Sequence, residues 1–149
     1  MLKVATDSQP IGATVKRLNF AEEIVSGWIW DSKITTTYLI VELNYPRDAI
    51  VRVKRSYKEL QNLRDLLADS NWKSKITAPI PLLTTSEDNP LEPAENVADL
   101  LDEAQSWLCN VVKVVDIFSF SPLQTFITPT EVDIYVMHLC YFVIRVIVS

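Results

Sequence analysis

The chain has 149 residues, of which 14 are Lys or Arg and 19 are Asp or Glu, giving a formal net charge of -5. This length fits one domain with an ordinary core, and a hydrophobic fraction of 48% excludes wholesale disorder. Two glycines leave no Gly-rich phosphate loop, and one histidine with two cysteines excludes a Cys/His zinc site and a disulfide framework. We therefore expect a monomeric binding module in a reducing compartment, not an enzyme, with no cofactor, metal or nucleic-acid partner.

The charge is distributed unevenly along the chain. Residues 47–75 contain eight basic and four acidic side chains, whereas residues 76–112 contain seven acidic and no basic side chains. Such an asymmetry is typical of a chain that meets a charged partner from one side, such as an anionic membrane or a basic protein. The alternative is that each charged run is simply a solvated face.

The predicted strands lie in the first part of the chain. Residues 1–17 have no clear period and are expected to form a loose N-terminal lead-in. Enrichment in β-branched and aromatic residues predicts strands over 24–30 and 34–43, joined by a turn at 31–33, and alternation predicts a third strand over 50–54. We expect these three strands to form an antiparallel meander.

Three helices are predicted after the strands. Ser56 and Glu59 fit a capping box at the start of a leucine-striped helix that ends near residue 70. A proline-rich loop follows over 72–93, and a loop of this length inside a compact domain is usually functional. An apolar stripe over 97–112 predicts the second long helix, and Ser121 is the expected N-cap of a short third one.

The last residues differ from the rest of the chain in composition. Fourteen of the seventeen residues from Val132 to Val148 are apolar. This run is shorter than the roughly 20 residues that a membrane helix needs, and three polar residues interrupt it. It is either a buried helix or strand, or an extension outside the native domain. We therefore expect the domain over 18–128 and an apolar C-terminal tail over 129–149.

The order of these elements, together with four short segments, resembles the PX (phox homology) family. Val51–Leu63 is similar to the family's third strand and first helix, and Ala78–Leu82 is similar to its proline loop. Ala104–Leu108 is similar to its Leu-x-x-aromatic-Leu helix, and Ser121–Ile127 is similar to its closing helix. Arg55 and Tyr57 stand at the first Arg and the Tyr of the family's Arg-Arg-Tyr motif. The resemblance implies an α+β fold, in which a three-stranded antiparallel sheet packs against a helical subdomain and a proline-rich loop joins the first and second long helices.

The same resemblance implies a non-catalytic module that binds phosphoinositides or other anionic lipids. Such a module belongs to a trafficking or signalling protein, and is cytoplasmic and peripheral at endosomal or plasma membranes. The candidate headgroup-binding residues are Arg55, Tyr57, Lys58, Lys73 and Lys75. The candidate membrane-inserting residues are Ile80, Leu82 and Leu83. Ordinary packing is the alternative for Tyr57 and for these three loop residues.

Three positions depart from the family's phosphate-binding pattern. Ser56 stands where the family has the Arg before the Tyr, Leu82 where it has a Lys after the prolines, and Leu100 where it has an Arg in the later helix. Each charge-assisted hydrogen bond contributes about 1.5–3 kcal/mol, so these losses predict that the usual phosphatidylinositol 3-phosphate mode is absent. We therefore expect weak membrane binding that tolerates different headgroups.

The alternative function is a PX-fold protein-interaction module that has lost phosphoinositide binding. Its candidate surfaces are the acidic helix face at Asp99, Asp102 and Glu103, and the segment Pro90–Pro93. That segment has the P-x-x-P spacing that SH3 domains bind, but it lacks a flanking basic residue. Cys109 is expected to be a buried small hydrophobic residue and not a nucleophile.

Overall fold

The computed structural model describes residues 9–17, 21–26, 31–87 and 93–130. Within these ranges the elements are β1 (Gly12–Arg17), β2 (Ala21–Ser26), β3 (Asp31–Thr36), β4 (Tyr38–Tyr45), β5 (Ala49–Ser56), α1 (Tyr57–Ala68), α2 (Val97–Val114) and α3 (Ser121–Ile127). Short 3-10 helices lie at Pro46–Asp48 and Asn71–Lys75.

An antiparallel sheet of three strands, in the order β1-β4-β5, packs against the helices. The central strand β4 is buried on alternate residues, so that Leu39, Val41 and Leu43 are fully buried and face the core. This side-chain alternation confirms the prediction for this part of the chain, and the sheet with its helices confirms the predicted α+β class. β2 and β3 form a separate antiparallel pair.

The strand boundaries correct two sequence-based predictions. Gly12–Arg17, expected to be part of a loose lead-in, is a strand of the main sheet and pairs with β4 in the register Gly12–Asn44 to Arg17–Leu39. The predicted strand over 34–43 is divided at Thr37, and residues 31–33 belong to β3 instead of a turn. In place of the predicted meander, the main sheet has the order β1-β4-β5, and β2 and β3 pair separately. β1 was missed because only Ala13 and Val15 are buried apolar positions, too few for a period-2 signal.

Helix α1 begins with the predicted capping box. The Oγ atom of Ser56 accepts a hydrogen bond of 3.1 Å from the backbone N–H of Glu59, and a carboxylate oxygen of Glu59 accepts one of 3.1 Å from the N–H of Ser56. The buried stripe of the helix consists of Tyr57, Leu60, Leu63 and Leu67. The helix ends at Ala68, close to the predicted end.

Helix α2 covers the outer edge of β1. The side-chain oxygen of Gln105 accepts a hydrogen bond of 3.1 Å from the backbone N–H of Val15, which satisfies a donor at the sheet edge. All eight residues of the predicted apolar stripe are buried: Val97, Leu100, Leu101, Ala104, Trp107, Leu108, Val111 and Val112. The carboxamide of Gln9 donates to the carbonyl oxygen of Val112 at 2.8 Å near the helix end.

Helix α3 starts one residue earlier than predicted. Ser121 is its first residue, Phe120 occupies the N-cap position, and no side chain caps the helix start. The predicted N-cap function of Ser121 was therefore wrong, because a proline in the first turn is compatible with either start. Leu123, Phe126 and Ile127 are buried. Residues 131–149, which make up most of the predicted apolar tail, lie outside the described residues.

Candidate functional site

Arg55 is buried and anchors the last turn of α3. It shares the inward face of β5 with Val51 and Val53. Its Nε atom donates to the carbonyl oxygen of Phe126 at 2.7 Å, and its Nη2 atom donates to that of Thr128 at 2.7 Å. A cation suits this position because the last carbonyls of a helix carry partial negative charge. Arg55 is therefore bonded within the fold and only 4% exposed, and its contact with a headgroup stays a prediction.

Tyr57 is also buried, and both of its polar groups are satisfied within the fold. Its hydroxyl donates to the carbonyl oxygen of Thr84 at 2.9 Å, and its backbone N–H donates to that of Thr37 at 2.9 Å. Burial raises the pKa of Tyr57 from 10.0 to about 12, and the nearby charge of Arg64 lowers it in part. Tyr57 therefore packs between α1 and the proline loop, and its contact with a headgroup stays a prediction.

Two further residues of α1, which were not predicted as site residues, also bind the backbone of the proline loop. Gln61 Nε2 donates to the carbonyl oxygen of Leu83 at 2.6 Å. Arg64 Nη1 donates to the carbonyl oxygen of Leu82 and lies 3.4 Å from that of Pro81. Tyr57, Gln61 and Arg64 are spaced four and three residues apart and share one face of the helix. We call these three residues the loop clamp.

The start of the proline loop is held by α2. The side-chain oxygen of Asn110 accepts hydrogen bonds from the backbone N–H groups of Thr77 and Ala78, at 2.9 and 3.3 Å. The other end is held by a backbone bond of 3.3 Å from Ala94 to the carbonyl oxygen of Thr84. The segment between these contacts is thus fixed although it contains no regular secondary structure.

The side chains of this fixed segment point in different directions. Ile80 is 50% exposed and Leu82 is 69% exposed, and we call these two residues the loop tip. Leu83 is only 1% exposed and has a φ of 48°, in the left-handed region. Leu83 therefore packs in the core, as the packing alternative expects, while Ile80 and Leu82 are accessible.

The three predicted lysines lie on the surface. Lys58 is exposed in the first turn of α1, and Lys73 and Lys75 are exposed on the 3-10 helix that precedes the proline loop. The Nζ atom of Lys75 lies 4.8 Å from the ring centroid of Trp72, a cation–π distance. Lys75 precedes Ile80 by five residues, so two basic side chains lie just before the loop tip in sequence.

The positions that depart from the PX pattern have structural functions here. Ser56 forms the capping box of α1, and Leu100 is buried on α2. Leu82 belongs to the loop tip. The guanidinium of Arg55, at the remaining motif position, donates to the backbone carbonyls of Phe126 and Thr128.

In the part of the chain that the structure describes, no group of three or more His, Cys, Asp or Glu residues is placed to hold a metal ion. None of the described helices is both long enough and apolar enough to cross a membrane. Asp99, Asp102 and Glu103 are exposed on α2, and Cys109 is half-buried. Most of the segment Pro90–Pro93 lies outside the described residues.

The sheet and helices of this chain match the fold of a solved PX domain. Neither a protein-family model nor a curated protein matches the chain. Among solved structures, the chain is similar to the PX domain of mouse SNX19 with bound sulphate ion, with a TM-score of 0.50 and 15% sequence identity. The similarity covers 79% of this chain and 97% of that chain. The likeness extends to the three-stranded antiparallel sheet and its helices.

Proposed function

We propose that this chain is a non-catalytic module that binds anionic membranes with little headgroup selectivity, through the loop tip and nearby lysines. The observation that carries the proposal is the exposure of Ile80 and Leu82 on a loop whose backbone is held by α1 and α2. Exposed apolar side chains on a fixed loop fit the interface of a bilayer, where they leave water without unfolding the domain. We propose that the parent is a trafficking or signalling protein acting at endosomal or plasma membranes.

The lysines supply the electrostatic part of this binding. A Lys or Arg near an anionic membrane surface contributes about 1 kcal/mol at moderate ionic strength. Lys73 and Lys75 lie next to the loop in sequence, and Lys58 lies at the start of α1. Together with an apolar tip of two residues, such charges support weak and reversible association, which salt weakens.

We expect low headgroup selectivity because Arg55, the arginine retained from the family motif, forms hydrogen bonds within the fold. Selective recognition of a phosphate requires fixed cationic donors, and the guanidinium of Arg55 already donates to backbone carbonyls of the chain's own closing segment. The sulphate ion bound to the mouse SNX19 PX domain supports an anionic ligand for this fold. In this chain we propose that the anionic surface as a whole is the ligand.

A vesicle binding experiment tests this function. The chain is sedimented with vesicles of phosphatidylcholine alone, of phosphatidylcholine with phosphatidylserine, and of phosphatidylcholine with phosphatidylinositol 3-phosphate at matched total charge. We expect binding to both anionic compositions to agree within about twofold, and to fall when salt shortens the Debye length to about 8 Å. Binding confined to the phosphoinositide, or absent from all anionic vesicles at low salt, contradicts the proposal.

A protein-interaction module is the second candidate function. It is favoured by the exposed acidic side chains of Asp99, Asp102 and Glu103 on α2. A basic protein partner fits this surface through charge complementarity. Capture of a partner by the wild-type chain that is lost in D102K/E103K and kept in K73E/K75E supports this candidate. The opposite pattern, with vesicle binding lost in K73E/K75E, supports membrane binding.

A further inference from the structure

We propose that the loop clamp, formed by Tyr57, Gln61 and Arg64, holds the loop tip in the conformation that enters an anionic bilayer. Arg64 is then a positioning residue for membrane docking, although it does not itself contact lipid. This inference rests on the proposed function and adds to it the part of the chain that prepares the tip.

The clamp replaces the backbone bonds that the loop does not make for itself. Pro79 and Pro81 have no backbone N–H, which restricts regular pairing of the segment. Donors from one face of α1 instead reach backbone carbonyls over residues 81–84. Because unpaired backbone groups are costly away from water, these side chains determine where the loop backbone lies.

The clamp also fixes the turn that separates the exposed and buried leucines. Leu83 adopts a φ of 48°, which is unfavourable for a residue with a Cβ atom and persists only where surrounding contacts impose it. The hydrogen bond from Gln61 to the Leu83 carbonyl and the burial of the Leu83 side chain supply those contacts. Leu82 is consequently directed outward, and the tip is ordered before it meets a membrane.

Arg64 is placed to support the tip and not to contact a headgroup. Its side chain is 17% exposed, its Nε atom pairs with Asp65 at 2.9 Å, and its Nη1 atom reaches the Leu82 carbonyl. Ordering the loop in advance removes part of the conformational entropy that insertion would otherwise cost. Loss of these bonds should weaken membrane binding more than the loss of one positive charge does.

The test compares R64M with R52M, which removes the same charge from an exposed residue that is already paired with Glu42 at 2.9 Å. Two measurements are made: hydrogen exchange of the amides of residues 78–87 without vesicles, and partition onto phosphatidylserine vesicles. We expect R64M to speed loop exchange and to lower partition by about tenfold. R52M should leave loop exchange unchanged and lower partition by no more than about twofold.

The possible outcomes separate the inference from the proposed function. Equal losses of partition in R64M and R52M, while the wild-type chain binds, overturn only the positioning function of Arg64. Unchanged loop exchange in R64M overturns it too. Absence of wild-type binding overturns the proposed function, and with it the docking part of the inference. Should R64M fail to fold, Q61M gives the same comparison, because it removes the neighbouring bond of the clamp and leaves the charge intact.

Discussion

The hydroxyl of Tyr57 donates a hydrogen bond of 2.9 Å to the carbonyl oxygen of Thr84. Tyr57 is the first residue of α1, so this bond joins the start of the helix to the proline loop. The N–H of the same residue binds the carbonyl oxygen of Thr37, next to the start of β4. Tyr57 therefore connects the sheet, helix α1 and the proline loop.

The raised pKa of Tyr57 predicts a loss of stability at alkaline pH. Because the pKa is about 12 in the folded chain and 10.0 ordinarily, the folded chain holds this proton more tightly than the unfolded chain does. The contribution to stability is complete below pH 10 and is lost as the pH rises towards 12. We expect the urea midpoint of the wild-type chain to fall over this range, and that of Y57F to fall less steeply.

Tyr45 does not obscure this comparison. Burial raises its pKa as well, but it is present in both chains, so the difference between the two curves reports Tyr57 alone. Parallel curves for the wild-type chain and Y57F would show that Tyr57 does not retain its proton in the way that its burial indicates.

Replacement of Arg55 should unfold the chain more readily without a specific effect on membrane binding. R55M leaves the carbonyl oxygens of Phe126 and Thr128 without their donor in a buried setting. We expect the free energy of unfolding to fall by roughly 3–5 kcal/mol, measured by chemical denaturation. K58M, which removes an exposed charge close in sequence, is the control and should change the free energy of unfolding by less than about 0.5 kcal/mol.

A different result for Arg55 would support its predicted contact with a headgroup. That result is an R55M chain that keeps its stability but no longer binds anionic vesicles.

Thr37 offers a substitution that should stabilise the fold. Its hydroxyl is buried between β3 and β4 and has no hydrogen-bond partner among the described residues. T37V keeps the shape and removes the unsatisfied group, so we expect the free energy of unfolding to rise by about 1 kcal/mol. T77V, at an exposed loop position, is the control and should have little effect. A destabilised T37V chain would show that the hydroxyl makes a bond in solution.

The elements that could be predicted from sequence are those with a strong local signal. The capping box at Ser56 and Glu59 and the eight-residue stripe of α2 depend on spacing within one helix, and both are confirmed. β1 was missed because its pairing with β4 spans distant residues and its own pattern is short. Long-range bonds such as that from Val15 to Gln105 leave no local pattern at all.

The candidate site was predicted less completely for a related reason. Arg55 lies two residues after Val53 and four after Val51, both of which are buried. Strand alternation therefore predicted that the side chain of Arg55 faces inward. The spacing of Tyr57, Gln61 and Arg64 likewise indicated that they share one side of the helix, but not what they bind. Only the folded position of the proline loop shows that this face holds its carbonyls.

The central claim is that the loop tip inserts into anionic membranes, and one comparison tests it most directly. I80S/L82S removes the apolar surface of the tip, whereas I50S removes an exposed apolar side chain of β5 and is the matched control. Partition of both variants and the wild-type chain onto phosphatidylserine vesicles is measured at the same ionic strength. We expect I80S/L82S to bind about tenfold more weakly or worse, because each apolar side chain gains about 1.5–3 kcal/mol on full burial. I50S should bind as the wild-type chain does. Undiminished binding of I80S/L82S, or an equal loss in I50S, would contradict the claim.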